Sequence, residues 1–206
     1  MNDLVENNLI QSAKSGYVDA YNELVLLYQE RVFNLALRIL ADSELAADVT
    51  QEAFIAAYQH LNSLRGDSFR PWLFRIVTNR CYDELRRQKR RPSQPLQVTG
   101  SEEDQALDEP AYLQDPQISS EDQLAAKQLE QAVQDCLRQL PPEFRSVVVL
   151  IDLQGMDYQE ARQVIRTPLG TLKSRLARAR VRLQDCLQGV WELLPDKYRL
   201  KIEGSG

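Results

Sequence analysis

One histidine, His60, and three cysteines, Cys81, Cys136 and Cys186, are the whole supply of imidazole and thiol groups in this chain. The cysteines form no CxxC pair, so a Cys/His zinc site would have to gather all four residues from along the sequence, and no metal is expected. Odd in number and widely spaced, they read as reduced thiols of a cytoplasmic protein. Only eight glycines occur, against abundant Leu, Ala, Gln and Glu, and no alternating run with hairpin turns stands out. That composition favours helix and argues against a sheet. No apolar run approaches 18 residues, which argues against a membrane span and direct membrane insertion. The start, MNDLVENNL, is polar and acidic rather than signal-like. No phosphate loop or nucleophile–base pair is visible, so neither catalysis nor a cofactor is expected.

The most informative absence is local. Residues 161–184, ARQVIRTPLGTLKSRLARARVRLQ, hold seven Lys or Arg and no Asp or Glu, in a 206-residue chain of net charge −5. Solvated helices usually mix signs, so a purely basic segment in an acidic protein points to a polyanion, and to nucleic acid first. Two helices are predicted here. Asp157 and Glu160 have capping-box spacing for a helix from Tyr158 to about Ile165. Thr167 and Pro168 then suit the start of a second, running to about Leu187. Leu172, Leu176, Ala179 and Leu183 form its apolar stripe. Thr171, Ser174, Arg175, Arg178 and Arg182 fall on another face, where hydroxyls and guanidinium groups reach phosphates and base edges. Helix, turn and basic second helix is helix-turn-helix logic.

Composition divides the chain into three parts: a mixed-charge helical part, 1–91, a linker, 92–118, and a second helical part from about Ser119 to Leu194. Between Ser93 and Asp135 there are ten acidic residues and one basic one, Lys127, with four prolines in the linker. In the first part Asp19 is placed to cap a long helix ending near Leu40, with Val25, Leu26, Phe33, Leu37 and Leu40 inward. Asp42 or Ser43 starts a helix to about Leu61. A loop over Arg65–Ser68 leads into a helix with Pro71 in its first turn. Trp72, Arg75, Asn79, Tyr82 and Arg86 lie on one stripe of that helix, which ends in five basic residues of six, 86–91. Rings that stack, amides that read edges and arginines that hold phosphates suit unstacked bases. In the second part Ser120 starts a helix that Pro141-Pro142 breaks, and Pro142 starts another that Gly155 ends. The fold class is all-α, with two small helical domains joined by an acidic, proline-containing linker.

The ordered blocks RVFNLALRILADSELAADVTQEAFIAAYQHLNSLRGDSFRPWLFRIVTNRCYDELRRQ (31–88) and LPPEFRSVVVLIDLQGMDYQEARQVIRTPLGTLKSRLARARVRL (140–183) resemble bacterial RNA polymerase sigma factors of the extracytoplasmic function group, in the sigma-70 family. The resemblance implies a promoter-specificity subunit, with core RNA polymerase and promoter DNA as partners and an anti-sigma factor that masks both domains. It implies that Asp48, Gln51 and Glu52 touch the polymerase, with Phe54 inward. It makes the loop holding Ser63, Arg65, Asp67, Ser68 and Phe69 the part that captures a flipped −10 base. Trp72, Arg75, Asn79, Tyr82 and Arg86 would read and open the −10 element, and Thr171, Ser174, Arg175, Arg178 and Arg182 the −35 element. The resemblance sets the second domain at 119–187 and leaves a tail, 188–206, past the family's usual end; two positions also depart from the family pattern, Arg166 standing where a small turn residue is usual and Arg162 where Ala is common. A local shift or an extra phosphate contact could follow. Two rivals remain. A stand-alone helix-turn-helix regulator leaves the first block unexplained, and a decoy that holds an anti-sigma protein would lose salt-dependent DNA binding.

Overall fold

A computed structural model describes residues 3–65, 68–90 and 120–191, and everything described outside turns is helical. The acidic linker, Asp67 and the tail beyond residue 191 lie outside the described residues.

The first half is built on α2, Val18–Leu40. Leu24, Tyr28, Val32, Leu35 and Ile39 recur every three or four residues and are buried along its length. α1, Asp3–Lys14, crosses it and buries Ile10 and Ala13. The helix breaks at Ala41, whose left-handed backbone (φ 58°) lets its N–H donate to the Leu37 carbonyl without a glycine. Asp42 then caps α3, Ser43–Gln59, its carboxylate accepting from the Leu45 N–H at 2.9 Å. Small residues on α3, Ala46, Ala53 and Ala57, are fully buried, which brings its backbone close to α2. A 3-10 turn, Leu61–Ser63, follows. α4, Phe69–Arg90, closes the bundle with Phe69, Leu73, Phe74, Val77 and Cys81.

The second half starts with α5, Ser120–Gln139. Pro141 and Pro142 end it and open α6, Pro142–Val148, which runs into a π-helical turn, Val149–Leu153. Val147, Val148, Val149 and Leu150 are all buried, so this helix is the hub of the half rather than a surface helix. The predicted capping box is present at α7, Tyr158–Ile165. Asp157 accepts from the Glu160 N–H at 2.8 Å, and Glu160 accepts from the Asp157 N–H at 3.1 Å. α8, Leu169–Trp191, buries Leu172, Leu176 and Ala179 as the stripe predicts.

Several expectations change. Asp19 sits in the first turn of α2, and Tyr17 holds the cap position without a side-chain bond. Leu26 is 67% exposed rather than inward, since the buried stripe passes through Leu24 and Tyr28. Pro168 precedes α8, its carbonyl accepting from the Leu172 N–H at 3.0 Å, and the helix runs four residues past Leu187. The cysteines are not three reduced thiols: Cys136 and Cys186, 50 residues apart, are joined as a disulfide with Cα atoms at 5.8 Å, and Cys81 alone is free.

The halves are packed together by polar groups laid on main-chain carbonyls. Arg145 is 6% exposed and donates to Ile39 O at the end of α2, and to Arg138 O (2.6 Å) and Leu140 O (3.1 Å) in its own half. Arg38 donates to Glu130 (2.5 Å) and Gln134 (3.0 Å) on α5. Gln134 and Arg138 reach back to the carbonyls of Leu37 (3.4 Å) and Ala41 (3.3 Å). At the other end Arg70 on α4 donates to Gln154 O, and Tyr82 shares a hydrogen bond with Ser146.

Candidate nucleic-acid interface

α8 presents its polar face much as its periodicity requires. Thr171, Ser174, Arg178 and Arg182 are exposed and Arg175 half-buried. The Ser174 hydroxyl donates to Thr171 O at 3.0 Å, and Arg182 lies over the Phe144 ring at 5.1 Å. Among the described residues no carboxylate pairs with Arg175, Arg178 or Arg182. Arg180 does pair, with Asp152 at 2.6 Å, but on a different face, and its hydrogen bond holds the Arg180 guanidinium above its ordinary range. Helix α7 meets α8 through Arg166, a non-glycine residue with φ 54°. The resemblance pointed to a small residue there, and the structure keeps the turn while holding Arg166 in a conformation that suits glycine better. Arg162 and Arg166 are both exposed.

The stripe on α4 is less open. Asn79 and Arg86 are exposed, Arg86 beside Asp83. Trp72 is 8% exposed and packs on Phe69, their ring centroids 5.7 Å apart. Phe69 itself is fully buried, with Tyr28 on its other side, so its ring is core rather than a base platform. Ser63, Arg65 and Ser68 are exposed and, with Trp72 and Arg75, line a cleft of about 410 Å³ that Gln163 of α7 closes from the second half. Arg75 is held below its ordinary range, first by burial and then by the like charge of Arg166. Tyr82 is pushed up by burial, while its bond to Ser146 and the nearby charge of Arg175 pull the other way. The faces assigned to the two promoter elements therefore lie beside each other, and α6 and α7 cover much of the first.

A third face belongs to α3. Asp48, Gln51 and Glu52 are exposed, Glu52 pairing with Arg80 at 2.5 Å, and Phe54 is inward as expected. Ile55 and Tyr58, 52% and 45% exposed, share this side of α3. The sequence reading missed them, although Asp48, Gln51, Glu52 and Ile55 follow i, i+3, i+4, i+7.

Residues 24–91 match Sigma-70 region 2, and residues 130–183 match Sigma-70 region 4. Over 184 residues the chain is 34% identical to the RNA polymerase sigma-H factor of Pseudomonas aeruginosa, covering 89% of this chain and 94% of the relative. The chain belongs to the extracytoplasmic function group of the sigma-70 family. Its relatives include the ECF RNA polymerase sigma-E factor of Escherichia coli, 34% identical over 187 residues (90% of this chain, 95% of the relative). The solved structure of CnrH in complex with the cytosolic domain of CnrY covers 90% of this sigma factor and 98% of that chain, with TM-score 0.65 and 25% identity. The fold also matches RpoE, solved with the anti-sigma factor NepR from Bartonella quintana, at TM-score 0.61 and 23% identity, over 82% of this chain and 96% of that one. As a sigma factor the chain directs RNA polymerase to promoters and starts their melting. Among the described residues no helix is long and apolar enough to cross a membrane.

Proposed function

We propose that this sigma factor divides its work among the three faces. α3 docks on core polymerase through Asp48, Gln51 and Glu52, with Ile55 and Tyr58 as apolar contacts, and Glu52 exchanges Arg80 for a polymerase cation. Ser63, Arg65 and Ser68 frame the pocket for an extruded −10 base, a capture to which Asp67 contributes by its place in the sequence, with Arg75, Asn79, Tyr82 and Arg86 along the unstacked strand. Trp72 and Phe69 act from beneath, as the apolar floor. α8 enters the −35 major groove through Thr171, Ser174, Arg175, Arg178 and Arg182. The protein catalyses no reaction of its own, works in the cytoplasm, and is held in reserve by an anti-sigma factor, in line with the complex solved for RpoE.

The observation that carries this reading is the basic face of α8, whose Arg175, Arg178 and Arg182 pair with no carboxylate among the described residues, in a chain whose two halves match Sigma-70 regions 2 and 4 in order. One consequence is geometric. Elements about 25 base pairs apart are about 85 Å apart on B-DNA at 3.4 Å per pair. With Tyr82 bonded to Ser146, α4 cannot meet one while α8 meets the other. The halves must separate on the promoter, and the 29 residues from 91 to 119 reach about 100 Å at full extension. The test is to add the chain to sigma-free bacterial core polymerase with a genomic DNA library and sequence the transcripts. Starts that share two spaced upstream elements support the reading. Duplex binding by the chain alone, with no specific transcription, would replace it with a stand-alone regulator.

A further inference from the structure

The disulfide between Cys136 and Cys186 has no part in the reading above. It joins the last turn of α5 to the last turns of α8. Its two ends are unlike: Cys136 is 2% exposed, whereas Cys186 is half-buried, so an external thiol or oxidant reaches the bridge from the Cys186 side. The third cysteine cannot interfere. Cys81 is fully buried in the first half, and burial pushes its thiol up to about 12. The pair is therefore an isolated dithiol–disulfide couple. Where a thiol pool keeps cysteines reduced, disulfides that form are mostly transient and redox-sensing.

Helix α5 gives the bridge a mechanical meaning. Glu130, Gln134 and Arg138 recur every four residues and hold the end of α2. At about 100° per residue, Cys136 lies on the opposite side of the same helix, where it meets α8. One face of α5 grips the first half and the other is bonded to the helix with the basic face.

We propose that Cys136 and Cys186 form a reversible redox switch: oxidation fastens α8 to the helix that grips α2 and favours the closed arrangement, and reduction frees α5 and favours opening. With the bridge formed, α5 is already ordered on α8 when the halves meet, so closing costs less conformational entropy. A peroxide supplies the oxidation. The Cys186 thiolate attacks one peroxide oxygen, the O–O bond breaks, and a sulfenic acid and hydroxide result. The Cys136 sulfur then attacks the sulfenic sulfur, giving up its proton to the hydroxide released in the first step as a second hydroxide leaves. That second hydroxide takes up the proton Cys186 lost on ionising, and two thiols and one peroxide become one disulfide and two waters. A small dithiol reverses it: one sulfur attacks Cys186, Cys136 leaves as a thiol, and the second sulfur closes on the first to release Cys186. The effect on promoter binding rests on the function proposed above; the effect on closure does not.

The test uses the full chain, without DNA or polymerase, after hydrogen peroxide or dithiothreitol. Alkylation and peptide mass mapping report the bridge, and dyes introduced through unnatural residues at Glu44 and Gln184 report the closed fraction by energy transfer. The expected result is a Cys136–Cys186 linked peptide after peroxide, with a closed-to-open ratio about fivefold or more above the reduced chain. Cys186→Ser should hold the reduced ratio under both treatments, and its half-exposed site should leave the fold intact. No linked peptide after peroxide, or a linked peptide with an unchanged ratio, overturns the proposal while leaving the transcription test of function untouched.

Discussion

Replacing Arg145 by Met removes the guanidinium that joins the two halves while keeping an unbranched chain of similar length. Of its three carbonyl partners, only Ile39 belongs to the first half; Arg138 and Leu140 belong to the second. A hydrogen bond from a charged donor contributes about 1.5–3 kcal/mol net. Losing the bond to Ile39 should therefore disfavour closure by about 2 kcal/mol, roughly a 30-fold fall in the closed-to-open ratio. The second half loses two bonds of the same kind, which leaves two carbonyls at the end of α5 without their donor. Part of that loss is offset, because a buried cation held below its ordinary range by burial no longer has to be desolvated. A fall of about 2–3 kcal/mol in the stability of that half is expected. Energy transfer between labels at Glu44 and Gln184 measures closure, and urea unfolding measures stability. If the unfolding midpoint falls and the closed fraction does not move, the bond to Ile39 contributes nothing to closure and the argument fails.

Other outcomes follow from single residues. The Cys81 thiol is raised from its ordinary value of 9.0 to about 12, so its stabilisation is complete below pH 9 and lost as pH climbs toward 12. The unfolded thiol ionises in that window and the folded one does not. About 1.4 kcal/mol should be gone by pH 10. Urea midpoints from pH 8 to 10 should show this slope, and Cys81→Ala should remove that share of it, leaving only the smaller slope of the buried tyrosines Tyr21, Tyr28 and Tyr82, which burial also pushes up. Arg178→Ala should weaken binding to a promoter duplex and lower the salt slope by about one unit if the guanidinium meets a phosphate. An unchanged slope with relaxed sequence preference would place it on a base edge instead. Arg166→Gly should raise the melting temperature, since a left-handed non-glycine residue costs about 1 kcal/mol or more. A lower melting temperature would mean that the Arg166 side chain stabilises the turn.

Local signals were legible wherever a residue's role is settled by its near neighbours. Asp42 and Asp157 declare their helix starts because an N-cap acts within three residues, and Leu172, Leu176 and Ala179 declare a buried stripe by spacing alone. Tertiary roles were not legible. The Trp72–Arg86 stripe can be drawn on a wheel, but nothing in its spacing tells that Ser146 and Gln163 cover it. The pairing of Cys136 with Cys186 depends on how α5 lies against α8, which a separation of 50 residues does not encode. A weak signal for the latch was present in FRSVVVL, where Arg145 stands alone between Phe144 and a run of valines. A lone cation entering an apolar run must find neutral acceptors, and the ends of two helices supply them.

Because most of the groups that close the molecule sit on uncharged acceptors, ionic strength should act unevenly on its two states. Guanidinium-to-carbonyl bonds are ion–dipole contacts and release few counterions, whereas each phosphate bound by the faces proposed for α4 and α8 would release nearly one. Added salt therefore strips the sigma factor from DNA much faster than it loosens the latch. The closed form thus persists under conditions where the open, DNA-bound form does not, and ionic strength becomes a dial on how much of the protein is available to promoters.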